Sequence, residues 1–360
     1  MKYPEPDIKI DRLLQEGTVI PAHPLALTKD LQLDEQRQRR LTQYYIASGA
    51  GGVAVGVHTT QFKIRDPAVN LLEPVLRMAA EEIKKAALER LRGPGWPFIK
   101  VAGIVGPTDQ AIREAKLAVR YGYDLGLLSM GGLKDLSETE LVERARTIAG
   151  IIPLFGFYLQ PAVGGRLLSY DFWREFAEIP NVCAIKVAAF NRYQTLDVVR
   201  AVCQSSRRDK IALYTGNDDN IVADLLTPYR FVIDGKQVEK KFVGGLLGHW
   251  AVWTNAAVKL LSEIRSGESD RQQIQDLLSK GVNVTDMNAA IFDAKNSFHG
   301  CIPGIHEILR RQGLLEGTWC LNPNEKLSPG QLEEIDRVCR NYPGYVDDSF
   351  VSNFLRQQIE

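Results

Sequence analysis

About eight short apolar runs recur over roughly 250 residues of this chain, and longer amphipathic stretches separate them. The runs begin at Gly17, Gly51, Pro97, Tyr123, Ile152, Val182, Ile211 and Phe242. Near-continuous apolar strands that alternate with helices are typical of a parallel sheet covered by helices on both faces. The number of units favours a barrel over an open doubly wound sheet, and no G-x-G-x-x-G follows the first run. The sequence therefore predicts an α/β protein with a (β/α)8 TIM barrel.

The segments between the runs carry their own signals. Residues 107–122 have a helical pattern, with Thr108 as the predicted N-cap and Gly122 as the stop. Residues 228–242 alternate around Asp234-Gly235, and such a dipeptide between apolar alternations predicts a hairpin.

The last quarter of the chain has a different pattern. From Val252 onward it is mainly helical, with Ser328 as a predicted cap and Pro343-Gly344 as a stop. We predict that residues 1–255 form the barrel, which carries the active site, and that residues 256–360 form a helical C-terminal extension packed on it.

Charge and cysteine usage exclude several classes of partner. The 360 residues contain 44 Lys+Arg and 44 Asp+Glu, so the formal net charge is zero, and we predict neither a nucleic-acid nor a membrane partner. Five widely spaced cysteines argue against a disulfide framework, and the N-terminus lacks an apolar signal core. We therefore predict a cytoplasmic protein.

A metal site is not indicated either. His299, Cys301 and His306 lie close together in the sequence, but their spacing matches no standard site. We predict that the protein holds no metal.

Lys186 is the residue that points to chemistry. It lies inside the apolar run 182–190, where an isolated charge is costly enough that the amine tends to lose its proton. A neutral amine on the sixth strand, near the end where barrels place their active sites, is a candidate nucleophile. The alternative without a catalytic role is a lysine whose charged tip reaches solvent at the strand end.

Tyr158 occupies a comparable height one strand earlier. Neighbouring strands lie ~4.8 Å apart, so if both side chains point inward, Tyr158 and Lys186 share one pocket. A lysine that attacks a ketone and a phenol that moves protons would make a Schiff-base enzyme. Tyr158 could instead be an ordinary core tyrosine.

Four features follow one another in an order that indicates a family. Tyr158-Leu-Gln-Pro161 is followed by Lys186, 28 residues after its tyrosine, and then by a Thr-Gly-Asn-Asp motif and a Gly-rich eighth strand. This order resembles the dihydrodipicolinate synthase/N-acetylneuraminate lyase family of class I, Schiff-base-forming aldolases. The resemblance implies that Lys186 forms an imine with pyruvate or a related 2-oxo acid and that Tyr158 is the acid/base. It implies no cofactor.

The resemblance extends to the loop after the second strand. Where the family has Gly-Thr-Thr-Gly-Glu, this chain places His58, Thr59 and Thr60. It implies that Thr59, Thr60 and the glycine after Thr215 bind the substrate, and that His58 acts in catalysis in place of the first threonine. The two threonines could instead cap a turn, and His58 could be a satisfied pocket histidine.

The departures from the family select a branch. The family's relay tyrosine after the fourth strand is replaced by Ser129-Met130-Gly131-Gly132, and the synthase's substrate-binding arginine is replaced by Val163. The nearest arginine is Arg166. This form is closer to the sialic-acid lyase and sugar-acid aldolase branch.

The predicted function is a Schiff-base lyase or aldolase that cleaves or forms a carbon–carbon bond in a pyruvate-derived 2-oxo acid, within a homo-oligomer. The alternatives are a dehydratase of a sugar-derived 2-oxo acid that uses the same imine, and a catalytically impaired barrel that binds 2-oxo acids.

Overall fold

A computed structural model describes residues 3–89, 96–267 and 271–357. Its strands are β1 (Val19–Pro21), β2 (Gly52–Val55), β3 (Ile99–Ile104), β4 (Leu125–Leu128), β5 (Leu154–Leu159), β6 (Val182–Ala188), β7 (Ala212–Thr215), β8 (Tyr229–Ile233), β9 (Lys236–Lys240) and β10 (Phe242–Leu247). Its α-helices are α1 (Ile8–Glu16), α2 (Glu35–Ala47), α3 (Leu72–Glu89), α4 (Thr108–Arg120), α5 (Glu138–Ala149), α6 (Tyr170–Ala177), α7 (Arg192–Gln204), α8 (Ile221–Leu226), α9 (Thr254–Gly267), α10 (Arg271–Ile291), α11 (Cys301–Arg311), α12 (Gln331–Asn341) and α13 (Asp348–Gln357).

Eight of these strands form one sheet. They are hydrogen-bonded in the order β1-β10-β7-β6-β5-β4-β3-β2. Ala22, the residue after β1, forms an isolated parallel bridge with Ala54 of β2, the strand at the other end of this order. Eight parallel strands with helices between them and helices after the last strand confirm the predicted (β/α)8 barrel.

The chain divides into two compact units. The first comprises Met1–Thr18 and Ile99–Leu246, and it contains β3 to β10. The second comprises Val19–Phe98 and Leu247–Glu360, and it contains β1, β2 and the C-terminal helices. The boundary at residues 255 and 256 between a barrel and an extension stays a prediction.

In the first unit, aromatic side chains cover the outer face of β5 and β6. Trp173 and Phe176 of α6 are buried there, and their ring centroids lie 5.5 Å apart. Gly156 of β5 faces them, because a Cβ at that position would lie only 2.6 Å from the Phe176 ring. On the opposite face, Phe155 and Tyr214 pack edge to face at 5.2 Å. One face of β5 thus packs against α6, and the other contacts a side chain of β7.

Several local predictions can be compared with the structure. The hairpin is confirmed: β8 and β9 pair antiparallel, and the turn residues Asp234 and Gly235 have φ of 48° and 74°. The stop at Gly122 is confirmed, since α4 ends at Arg120. Thr108 as a cap was wrong, because Pro107 occupies the cap position and Thr108 is the first helical residue.

Ser328 as a cap was also wrong. Its hydroxyl donates to the Asp293 carboxylate at 2.5 Å, and α12 begins only after Gly330. The serine is therefore committed to a tertiary hydrogen bond rather than to the helix N–H groups.

Candidate active site

Lys186 lies on β6, on the same face as Phe157 of β5 and Tyr214 of β7, with which it is in register. Only 8% of the residue is exposed, and its Nζ lies 4.6 Å from the centroid of the Phe157 ring. The loop after β7 covers its aliphatic stem: a Cβ on Gly216 would lie 2.5 Å from Lys186 Cε. The close approach explains why a glycine stands at this position.

Burial lowers the pKa of Lys186 to about 8, and the negative charge of Asp218 opposes this change. Asp218 follows Gly216 by two residues and is itself buried. With a pKa near 8, roughly a tenth of the amine is neutral at pH 7, against well under a thousandth for an ordinary lysine. The geometry and the protonation state together suit Lys186 for nucleophilic attack on a carbonyl.

We expect the rate of imine formation with pyruvate to follow this pKa. Trapping with borohydride, followed by peptide mapping, should give a rate at Lys186 that rises with pH and reaches half its maximum near pH 8. The rate rises because only the deprotonated amine attacks. A half-maximum near the ordinary lysine value of about 10.4 would contradict the desolvated state of this amine.

Tyr158 lies on the other face of β5. Its Cα is in register with Val187, and its ring packs on Trp173 of α6 at 5.5 Å between centroids. Burial raises the pKa of Tyr158, and the charges that act on its phenol belong to Asp197 of α7 and Glu138 of α5. The Cα of Tyr158 is in register with Val187 rather than with Lys186, and the shared pocket and the catalytic role of Tyr158 stay predictions.

A one-residue shift in register explains the difference. Leu154 is paired with Val182, but the next residue, Phe155, is paired with Ala184, so Cys183 is an extra residue in β6. Because side chains alternate between the two faces of a strand, one extra residue moves every later side chain of β6 to the opposite face relative to its partner in β5. Without it, the 28-residue spacing would set Tyr158 opposite Lys186.

The threonines of the loop after β2 bind backbone groups. Thr59 Oγ1 donates to the carbonyl of Ala22 at 2.8 Å, and Thr60 Oγ1 donates to the carbonyl of His23 at 2.6 Å. Thr60 Oγ1 also accepts from the Gly56 N–H at 3.0 Å. These contacts fit the alternative of turn-capping residues, and the substrate-binding roles of Thr59 and Thr60 stay predictions.

His58 begins the short 3-10 turn His58–Thr60, and its ring packs edge to face against Phe62 at 6.0 Å. The same loop is fixed from the C-terminal part of the second unit, because Gln61 Oε1 accepts from the Leu321 N–H at 2.6 Å. Lys63 donates to the Leu321 carbonyl at 3.0 Å. The catalytic role of His58 stays a prediction.

Arg166 is committed to structure. Its Nη1 donates to the carbonyls of Leu133 and Leu136 at 2.7 and 3.1 Å. The guanidinium therefore holds the loop before α5.

A group of metal-binding side chains and a membrane-spanning helix are two further features that bear on the predicted partners. Within residues 3–89, 96–267 and 271–357, no three His, Cys, Asp or Glu side chains are grouped so that they could hold a metal ion. His306 is buried in α11, where burial lowers its pKa to about 4. Of the helices in those ranges, none is long and apolar enough to cross a membrane.

Comparison with known proteins bears on the family. No family model matches the chain. N-acetylneuraminate lyase from Citrobacter koseri is 28% identical over 211 residues, which make up 58% of this chain and 65% of that protein. Dihydrodipicolinate synthase from Oceanobacillus iheyensis has a TM-score of 0.71 at 18% identity, over 93% of this chain and 99% of that one. N-acetylneuraminate lyase from Fusobacterium nucleatum, solved with pyruvate, has a TM-score of 0.68 at 17% identity, over 91% and 98%.

The resemblance to the dihydrodipicolinate synthase/N-acetylneuraminate lyase family is confirmed. The solved members of this family share the fold of the chain along nearly its whole length. The chain matches less than two thirds of the length of the curated lyase, so its activity is argued below from its own residues.

Proposed function

We propose that this protein is a Schiff-base lyase or aldolase that acts on a pyruvate-derived 2-oxo acid. The observation that carries the proposal is Lys186, a buried lysine on a barrel strand with its pKa lowered to about 8. The sequence similarity to a protein named N-acetylneuraminate lyase supports the same reaction class.

The reaction follows from the amine. Neutral Lys186 Nζ attacks C2 of the 2-oxo acid, and the carbinolamine loses water to give an iminium ion, which serves as the electron sink. In the cleavage direction, a base takes the proton of the C4 hydroxyl, the C3–C4 bond breaks, and its electron pair forms an enamine. The fragment that carries C4 leaves as an aldehyde, and protonation at C3 and hydrolysis of the imine then release pyruvate and free Lys186.

Asp218 is the candidate for the proton-transfer group. It is the carboxylate whose charge acts on Lys186, whereas the Tyr158 ring packs on Trp173 of α6. A carboxylate can take the hydroxyl proton and return it at a later step. We therefore assign to Asp218 the role that the family resemblance gives to the tyrosine.

The remaining parts of the proposal come from the resemblance. We propose that the loop His58–Thr60 and the backbone at Gly216 bind the 2-oxo acid and its carboxylate. We further propose that the protein works in the cytoplasm as a homo-oligomer.

A substrate panel tests the branch of the reaction. We expect a hydroxylated, aldehyde-derived 2-oxo acid to be cleaved with release of pyruvate, at kcat/KM on the order of 10⁴ M⁻¹s⁻¹ or above for the true substrate. Condensation of pyruvate with aspartate semialdehyde should be negligible, because a second carboxylate needs a cation and Arg166 binds carbonyls instead. Steady-state assays on both substrate types measure this.

The outcomes separate the alternatives. Efficient condensation would show that another cation binds the second carboxylate and that the lyase branch is wrong. Loss of water without release of pyruvate would indicate the dehydratase. Imine trapping without turnover on any substrate would indicate a 2-oxo acid-binding protein.

A further inference from the structure

Asp224 of α8 is fully buried, yet it is a carboxylate for which the family resemblance and the proposed mechanism have no role. Its two oxygens accept hydrogen bonds from five side chains. The donors are Arg192, Thr215, Asn217, Asn220 and Tyr229. Burial of a carboxylate is costly unless charge and hydrogen bonds compensate it, so this is a built arrangement rather than a chance contact.

Three of the five donors lie at the end of β7 or in the loop that follows it. Thr215 Oγ1 and Asn217 Nδ2 donate to Oδ2 of Asp224 at 2.8 and 2.9 Å, and Asn220 Nδ2 donates to Oδ1 at 3.0 Å. Thr215 and Asn217 are themselves fully buried. The carboxylate therefore fixes the loop from both of its ends.

Asn217 connects this loop to the strand of the lysine. Its Oδ1 accepts from the Phe190 N–H at 2.9 Å, two residues beyond the end of β6. The Gly216 N–H donates to the carbonyl of Val187, the residue after Lys186, at 2.7 Å. These hydrogen bonds join the segments that follow β6 and β7 into one unit. The negatively charged carboxylate of Asp224 is bonded to this unit through Asn217.

The part of the loop that Asp224 fixes is the part that contacts Lys186. Gly216 lies between Thr215 and Asn217, and its backbone packs against the Lys186 stem. Asp218, whose negative charge acts on the Lys186 amine, directly follows Asn217. Displacement of this loop would expose the lysine to water or change its distance from Asp218.

We propose that Asp224 is a positioning residue for Lys186: through Thr215 and Asn217 it holds the Gly216–Asp218 backbone against the lysine and keeps the amine desolvated. The inference deepens the proposed function and rests on Lys186 as the Schiff-base residue. Asp224 itself touches no reacting atom.

The charged and titratable groups around both sites bear on the test. Asp218 is the charge that acts on Lys186. On the other side, the Arg192 guanidinium pairs with Asp224, the Tyr229 phenol donates to it, and the carboxyl of Asp219 has its pKa raised by burial. Because burial is the larger cause of the lowered pKa of Lys186, loosening the loop should raise that pKa.

Two matched variants separate positioning from general support. Thr215→Val and Tyr229→Phe each remove one hydroxyl donor from Asp224 and keep the shape of the side chain, but only Thr215 adjoins the loop that covers Lys186. The pKa of Lys186 is measured by competitive labelling of the amine with acetic anhydride across pH, which needs no 2-oxo acid. Pyruvate trapping and thermal unfolding are measured in parallel.

We expect Thr215→Val to raise the pKa of Lys186 by about one unit and to slow pyruvate trapping at pH 7 about tenfold, since a unit of pKa changes the neutral fraction tenfold. Tyr229→Phe should keep the wild-type profile, and Thr215→Ser should restore it. Asn217→Ala, which removes the second loop donor, should act like Thr215→Val even if one of the two folds poorly.

Wild-type labelling profiles in both Thr215→Val and Asn217→Ala would overturn the inference. So would equal changes in Thr215→Val and Tyr229→Phe, which would make Asp224 a structural residue only. Absence of a pyruvate adduct on wild-type Lys186 is a different result: it rejects the Schiff-base function, while the labelling profiles still decide whether Asp224 sets the state of the amine.

Discussion

Replacing Lys186 with methionine should abolish the pyruvate adduct and, at the same time, make the protein more stable. Methionine has a similar length and fills the space beside Phe157 and Gly216, but it offers no amine. Turnover should fall to the background of the assay, because no iminium ion can form. Lys186→Arg is the matched control, since it keeps the positive charge and also fails to form an adduct.

The stability gain follows from the lowered pKa of the lysine. The unfolded chain holds this proton up to about pH 10.4, whereas the folded protein loses it near pH 8, so stability rises with pH between these values. Below pH 8 the full cost is present, on the order of 3 kcal/mol. Lys186→Met removes that cost.

Urea unfolding at pH 7 should therefore show a clear gain for Lys186→Met over the wild type, and the gain should shrink toward pH 10. A methionine variant that is less stable at pH 7, or an adduct on another lysine, would contradict the assignment of a desolvated, reactive amine at this position.

Replacing Asp218 with asparagine should separate imine formation from turnover. The variant removes the negative charge that raises the pKa of Lys186, so the pKa should fall below its wild-type value and trapping at pH 7 should become faster. Turnover should nevertheless fall on the order of 10²-fold or more, because the proton-transfer group is lost. Faster imine trapping together with slower turnover would not result from misfolding, because misfolding would slow both steps.

Tyr158→Phe is the control for this experiment. It removes the phenol of the ring that packs on Trp173, and if Asp218 is the proton-transfer group, turnover should stay within the same order of magnitude as in the wild type. The reverse outcome, a large loss in Tyr158→Phe and little change in Asp218→Asn, would return the acid/base role to the tyrosine. Both variants are compared by single-turnover and steady-state kinetics on one substrate.

The sequence was sufficient for the features that depend on pattern. Alternating apolar and amphipathic runs predicted the barrel, and a lysine in an apolar run predicted a buried amine on β6. Asp234-Gly235 predicted the hairpin because only a few residue types accept positive φ at both turn positions.

Features that depend on tertiary partners could not be predicted in this way. The Thr59 and Thr60 hydroxyls bind carbonyls more than thirty residues away, and no local pattern indicates such partners. Asp224 gave no signal, because a single aspartate in a short helix is usually exposed. Asp218 belongs to the Thr-Gly-Asn-Asp motif, but the motif alone does not indicate that its charge acts on Lys186.

The extra residue at Cys183 also bears on how barrels of this kind diverge. Residues before the bulge keep their orientation, whereas the side chain of every later residue moves to the opposite face. The gain or loss of one codon in β6 would therefore change which aromatic residue of β5, Phe157 or Tyr158, is paired with Lys186. Such an event alters the chemistry around Lys186 while every side chain of the motif remains in the sequence. The role of a residue can therefore be assigned from an aligned position in a relative only where the corresponding strands of the two proteins carry the same bulges.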